Sequence, residues 1–252
     1  MKEQIINSFT DEYRDEVLNL YEKYLLAKEK NITVFGNSFY SPNVWKWFEN
    51  NLGNSYVECN GFFDDSERKM ISFNNQYKNP FPMKLLKIQN TSKFSTLTHR
   101  DFLGAILAVG IERNKIGDLI VDNDICYFPV HKDIVEFILY NLDKIGKVHC
   151  KIEECPEDFE IPKIKFKEDI IMVSSLRIDG IVSKITNLSR GKAQSSVEQG
   201  KVLIDYTVIK DKSYELKGEE RITIRGYGKF ILGNIIGNSK SGKIKVIIKK
   251  YT

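Results

Sequence analysis

No stretch of this 252-residue sequence is apolar for long enough to cross a bilayer. The longest run, Phe102 to Ile111, falls well short of the ~20 residues that a spanning helix needs. The start, MKEQIINSFTDEYRDEVLNLYEKYLL, also lacks the apolar centre of a signal peptide. Cysteine and histidine are scarce. Cys59, Cys126, Cys150 and Cys155 stand among three histidines, and no Cys-x-x-Cys pair occurs. A zinc site needs four ligands at suitable spacing, and His99 or His131 does not supply it. The expectation is reduced thiols, no metal, no cofactor and a cytoplasmic location. Internal repeats and low-complexity tracts are missing too.

Two stretches look like catalytic chemistry and fail on inspection. LTHRDFLG contains the His-Arg-Asp of a protein-kinase catalytic loop, but Ile106 stands where that loop needs a magnesium-binding Asn. No glycine-rich loop precedes it and no Asp-Phe-Gly follows. Thr98 to Asp101 instead fits a capping box, a hydroxyl with an acid three residues on, ahead of an apolar helix. GNSKSGKI, residues 237–244, fits the P-loop pattern except that Ile244 replaces the hydroxyl, and the KIKVIIKKYT that follows alternates like a strand. What remains is a loop between strands that carries Lys240 and Lys243.

Charge is modest in total, +4, and unevenly placed. Residues 171–252 hold 16 Lys and Arg against 7 Asp and Glu, leaving 22 against 27 in residues 1–170. A basic end on an acidic body points to a polyanion as partner.

Along the chain, Phe9, Tyr13, Val17, Leu20, Tyr21, Tyr24 and Leu25 recur at helical spacing. SPNVWKWFENNL reads as a short helix with Ser41 as N-cap, and NSYVECNGFFDDSERKMISF as a hairpin. From Met83 the order is strand, helix, strand, strand, helix, strand: a split βαβ arrangement. Tyr127 and Phe128 fall on opposite faces of its third strand. CPEDFEIPKIKFKED reads as a boundary.

LRIDGIVSKITNLSRGKAQSSVEQGKVLID, residues 176–205, is the informative segment. A helix over about Leu176–Ile185, a turn at TNL, a second helix capped by Ser189 and stopped by Gly200, and a strand are expected. The second helix has Arg190 and Lys192 in its first turn, the reverse of what the helix dipole favours. Cations beside unpaired amides build an anion site, and phosphate is the obvious anion. By the same reasoning, replacing both by Glu should leave folding intact.

LRID, SRGKA and VEQGKVLID resemble the S4 domain, a small RNA-binding module; Ile178 stands where that family has Leu, and Asp205 where it has Asn. HRDFLGAILAVGIERNKIGDLIV, RGYGKF and GKIKVIIKKY resemble the YlmH family of bacterial S4-domain proteins, over roughly residues 55–252. The resemblance assigns RNA contacts to Arg177, Arg190, Lys192 and Lys201, with Ser189 and Gln194 beside them. Lys184, Lys229, Lys240 and Lys243 complete the candidate set. Asp179 is expected to order the helix pair through an arginine.

The fold expected is α+β in three parts. Residues 1–80 form an N-terminal α/β subdomain, 81–157 a central ferredoxin-like or RRM-like βαββαβ RNA-binding domain, and 172–252 an S4 domain with a β-hairpin extension. The resemblance further implies a protein that binds the ribosomal large subunit and handles stalled nascent chains on peptidyl-tRNA, and a non-enzymatic monomer that binds rRNA and tRNA there is expected. Neither a membrane nor a small-molecule substrate is expected. Two alternatives stand beside it: an RNA-modifying enzyme of the pseudouridine-synthase type, and a protein-interaction adaptor tethered to RNA.

Overall fold

A computed structural model describes residues 2–251 apart from 93, 94, 157, 161 and 164. The chain is α+β and divides into two compact units, Met1–Lys163 and Ile164–Thr252. Among the described residues, no helix is long and apolar enough to cross a membrane.

The first unit opens with α1 (Lys2–Ser8) and α2 (Arg14–Lys30), separated by a short 3-10 turn. One continuous helix is therefore not what the spacing produces. Val17, Leu20, Tyr24 and Ala27 form the buried stripe of α2, while Leu25 is exposed. A small antiparallel sheet follows, with β1 (Val34–Phe35), α3 (Pro42–Leu52), β2 (Val57–Asn60) and β3 (Met70–Phe73). Its order is β1-β3-β2, so the hairpin read from the sequence is present. Ser41 caps α3 by position, yet its hydroxyl donates to Asn43 Oδ1 at 2.7 Å and accepts no capping bond from a backbone amide.

The second sheet of this unit contains β4 (Met83–Asn90), α4 (His99–Ala108), β5 (Ile120–Asp122), β6 (Ile125–His131), α5 (Val135–Asn141), β7 (Lys144–Ile145) and β8 (Val148–Glu154). Its order is β5-β6-β4-β8-β7, antiparallel throughout. Without the two-residue edge strand β7, that is the ferredoxin-like order of a split βαβ. Helices α4 and α5 cover one face, where Phe102, Ile106 and Ile138 pack on Leu86, Ile88, Cys126, Phe128 and Val130. The kinase-like triplet is a helix start: the Asp101 carboxylate accepts from the Thr98 amide and hydroxyl, both at 2.7 Å. Asp118 ties the two sheets together, its carboxylate accepting from the amides of Glu67 and Arg68.

The stretch 155–169, read as a boundary, includes positions 157, 161 and 164, which lie outside the described residues. Its last four residues already belong to β9 (Phe166–Val173), the opening strand of the second unit. Then come α6 (Ile178–Thr186), α7 (Arg190–Glu198), β10 (Val202–Ile204), β11 (Thr207–Val208), β12 (Arg221–Ile224), β13 (Gly228–Asn238) and β14 (Ile244–Tyr251). The sheet order is β11-β10-β12-β13-β14-β9. Ile178, Ile181 and Val182 of α6 and Ala193 and Val197 of α7, at i, i+3, i+4 spacing, bury themselves on Ile222, Ile224, Phe230 and Leu232. Asn187 takes the left-handed conformation (φ 57°) that ends α6, and Gly200 (φ 68°) follows α7. GNSKSGKI is the turn between β13 and β14, closed by Ser239 N–H on Lys243 O at 2.7 Å. A strand follows it, so no helix is there to hold a nucleotide phosphate.

Candidate nucleic-acid interface

Asp179 organises the second unit. Its side chain, in the first turn of α6, is fully buried (0% exposed), whereas those of Arg177 and Arg190 are 38% and 59% exposed. Arg177 Nη2 lies 3.3 Å from its carboxylate and Arg190 Nε 3.1 Å, and Gln194 Nε2 donates to it at 2.8 Å. The Gly180 amide adds a fourth donor at 2.8 Å. Burial pushes this carboxyl up, but the hydrogen bonds from Gln194, Arg190 and Arg177 outweigh it and hold the group well below the usual carboxylate range. The cluster bolts the start of α7 to the start of α6.

That geometry revises the expectation drawn from the helix dipole. Arg190 is a structural partner as well as a surface cation, so Arg190→Glu would set one carboxylate against another that is buried. We expect this variant to lose about 1.5–3 kcal/mol of stability, the scale of a charge-assisted hydrogen bond. Lys192→Glu should stay within about 0.5 kcal/mol of the parent. Thermal melting of the two single variants separates these outcomes.

Five of the candidates line two basic recesses. The smaller, about 140 Å³, brings together Lys184 of α6, Arg190 of α7 and Lys243 of the β13–β14 turn. Ser174 and Ser175 also line it, as does Ser183, whose hydroxyl donates to Leu188 O at 2.7 Å. Three cations and two serine side chains around a volume of that size suit one phosphate group. The larger, a groove of about 670 Å³ along α7, joins Lys192 and Lys201 to Arg225 and Tyr227. Arg225 N–H donates to Lys201 O at 2.9 Å, which fixes the β12–β13 turn beside the end of α7. Tyr227 is 43% exposed between Gly226 (φ 88°) and Gly228 (φ 118°). The groove combines cations for phosphate with one aromatic face for a base.

Three candidates lie apart from these recesses. Lys229 donates to the Tyr206 hydroxyl at 3.0 Å, with its ammonium 5.0 Å from that ring's centre. Lys240 is exposed on the β13–β14 turn but lines neither recess. Ser189 is the N-cap of α7, exposed, and makes no side-chain capping bond. Arg225 and Tyr227 were not singled out from the sequence as contacts. Their signal lay in RGYGKF, where two glycines frame an aromatic between cations.

Two helices set on a twisted sheet, with cations along the second helix, define an S4-type RNA-binding module, and sequence comparison agrees. Residues 176–222 match the S4 domain, and residues 77–158 match the family described as "Putative RNA-binding domain in YlmH". In both segments the chain is similar to S4-domain RNA-binding proteins of the YlmH type. It is 29% identical over 195 residues to "Ribosome-associated protein quality control protein P2" of Bacillus subtilis (strain 168), which covers 75% of this chain and 76% of that protein. Among solved structures it is similar to "Cell division protein ylmH from Streptococcus pneumoniae", with a TM-score of 0.49 and 22% identity over 59% of this chain and 93% of that one.

Proposed function

We propose that this protein is a non-catalytic RNA-binding factor that docks on the ribosomal large subunit. Its second unit contacts rRNA and tRNA there, and the protein serves the rescue or quality control of stalled nascent chains on peptidyl-tRNA. The observation that carries this reading is the α7 groove, where Lys192, Lys201, Arg225 and Tyr227 face one channel. The name of the Bacillus relative supports the ribosomal setting. In this reading the protein works in the cytoplasm as a monomer.

Catalysis is disfavoured by the site itself. Its one buried acid, Asp179, has its carboxylate engaged by two arginines, a glutamine and an amide, which leaves it poorly placed to act as nucleophile or general base. A tethered-adaptor role receives some support from Ile170, Met172, Ile235 and Ile236, large apolar side chains exposed on the second unit's sheet. It is compatible with RNA binding.

The test is co-sedimentation of the purified protein with separated ribosomal subunits. It should travel with large subunits, more so when they carry peptidyl-tRNA, and be released by salt. Each phosphate contact contributes about −0.7 to −0.9 to the log–log slope. Equal partition onto small subunits, or retention that salt does not alter, would overturn the proposal.

A further inference from the structure

A cavity of about 480 Å³ in the first unit has an unusual wall. Phe35, Phe62, Phe81 and Phe159 line it together with Lys84 and Lys132, and among the described residues no Asp or Glu does. These rings are only half-buried, whereas Phe39, Phe48, Phe73, Phe102 and Phe128 of the same unit are fully buried. The four rings are therefore not ordinary core. Phe35 and Phe81 meet edge to face, with centroids 5.2 Å apart. Phe62 is held at φ 78°, a left-handed conformation unfavourable for a bulky side chain.

The cavity continues onto the sheet face that α4 and α5 leave uncovered. Phe159 packs against Tyr127 in a tilted contact, with centroids 5.4 Å apart and planes inclined by 32°. Tyr127 pairs across β6 and β4 with Lys87, whose ammonium is 6.0 Å from the Phe159 ring. On that face Lys87 and Lys151 share a single acid, Glu153, at 2.7 and 2.6 Å. Lys84 also meets a carboxylate, Glu154, at 2.9 Å. The wall thus offers π-faces for a flat body and positive charge for its neighbour, and the surface beyond it offers more of both.

We propose that this cavity takes one unstacked nucleotide of single-stranded RNA. The base stacks among Phe62, Phe81 and Phe159, the phosphate lies toward Lys132 and Lys84, and the strand continues over Tyr127 and Lys87. The volume falls in the range of small-molecule sites, and base–aromatic stacking with cations is how single strands are held without base pairing. A neutral peptide would not use the cations, and an acidic one without aromatic side chains would not use the flat rings. The proposal rests on the reading that the protein works on RNA, but it places this contact in the first unit. Phe35 and Phe62 lie outside the span 77–158 that matches the RNA-binding family.

The test uses the full chain with Lys192→Glu and Lys201→Glu, which silence the α7 groove. A single-stranded oligoribonucleotide carrying 4-thiouridine is photo-crosslinked, and the attached residues are located by mass spectrometry. Crosslinks at Phe62, Phe81 or Phe159 are expected, and Phe159→Ala or Lys132→Glu should each weaken the residual binding roughly tenfold. Lys132→Glu keeps the test valid should Phe159→Ala fail to fold. Residual binding without crosslinks in the cavity would overturn the proposal. Adenosine monophosphate binding as tightly as the oligonucleotide would overturn it in favour of a free nucleotide, and capture of an aromatic peptide with no RNA bound would overturn it in favour of a protein ligand. Each result leaves the α7 groove to its own test.

Discussion

Lys192→Glu combined with Lys201→Glu is expected to lower RNA affinity on the order of a hundredfold or more while leaving the protein folded. Both side chains line the α7 groove and both are exposed. Two lost charge-assisted contacts at about 1.5–3 kcal/mol each give that factor. A glutamate at position 192 lies in the first turn of α7, where it complements the dipole, so melting should be unchanged or slightly raised. The salt slope should flatten by about 1.4–1.8, the loss of two phosphate contacts. Lys250→Glu serves as the control. Lys250 is on β14 beside the Phe230 ring, 5.8 Å from its centre, and does not line the groove, so its reversal should cost far less. Binding titrations at several salt concentrations decide between these outcomes. An unchanged slope in the double variant would remove the groove from the interface.

Asp179→Ala should be the most destabilising single change in the second unit. It leaves the Arg177 and Arg190 guanidinium groups facing each other without an anion and strips Gln194 of its acceptor. Breaking a buried pair costs about 3–5 kcal/mol, and the half-exposed arginines can recover water, which places the loss near the lower end. The pH dependence follows from the sign of the shift. The folded pKa is depressed, so the stabilisation is fully present above the unfolded value near 3.8 and is lost as pH falls through the folded value. Urea denaturation should show the full gap between parent and variant at pH 7, and the gap should narrow below about pH 4. A gap that persists unchanged in acid would mean that the carboxylate charge is not what holds the helices.

How much of this was legible in the sequence depends on how local each feature is. The capping box needs only Thr98 and Asp101, three residues apart, and it was readable. The helix pair of the second unit was readable because Ile178, Ile181, Val182, Ala193 and Val197 keep helical spacing over a short span. The strand order of the ferredoxin-like sheet followed from element order. What escaped reading depends on direction or distance. Nothing in SRGKA says that Arg190 turns inward to Asp179 while Lys192 faces out, since packing of α7 on α6 decides it. Arg225 and Tyr227 reach the groove through a sheet register that links Val202 to Ile224. Residues 166–169 look like linker because prolines precede them and their charges are mixed, yet they pair in register with Ile248 to Tyr251 of β14. The break between α1 and α2 is equally tertiary, since Phe9 and Tyr13 pack as aromatics outside both helices. The cavity in the first unit was unreadable, because its rings come from four separated segments.

The central claim is that the α7 groove meets RNA directly. A photo-crosslinking amino acid in place of Ser195, an exposed groove residue, tests it on purified large subunits. Crosslinks to rRNA or tRNA are expected from position 195, with few from a control at Thr207, exposed on edge strand β11. Crosslinks from position 195 to ribosomal proteins alone, or none while Thr207 captures RNA, would contradict the account.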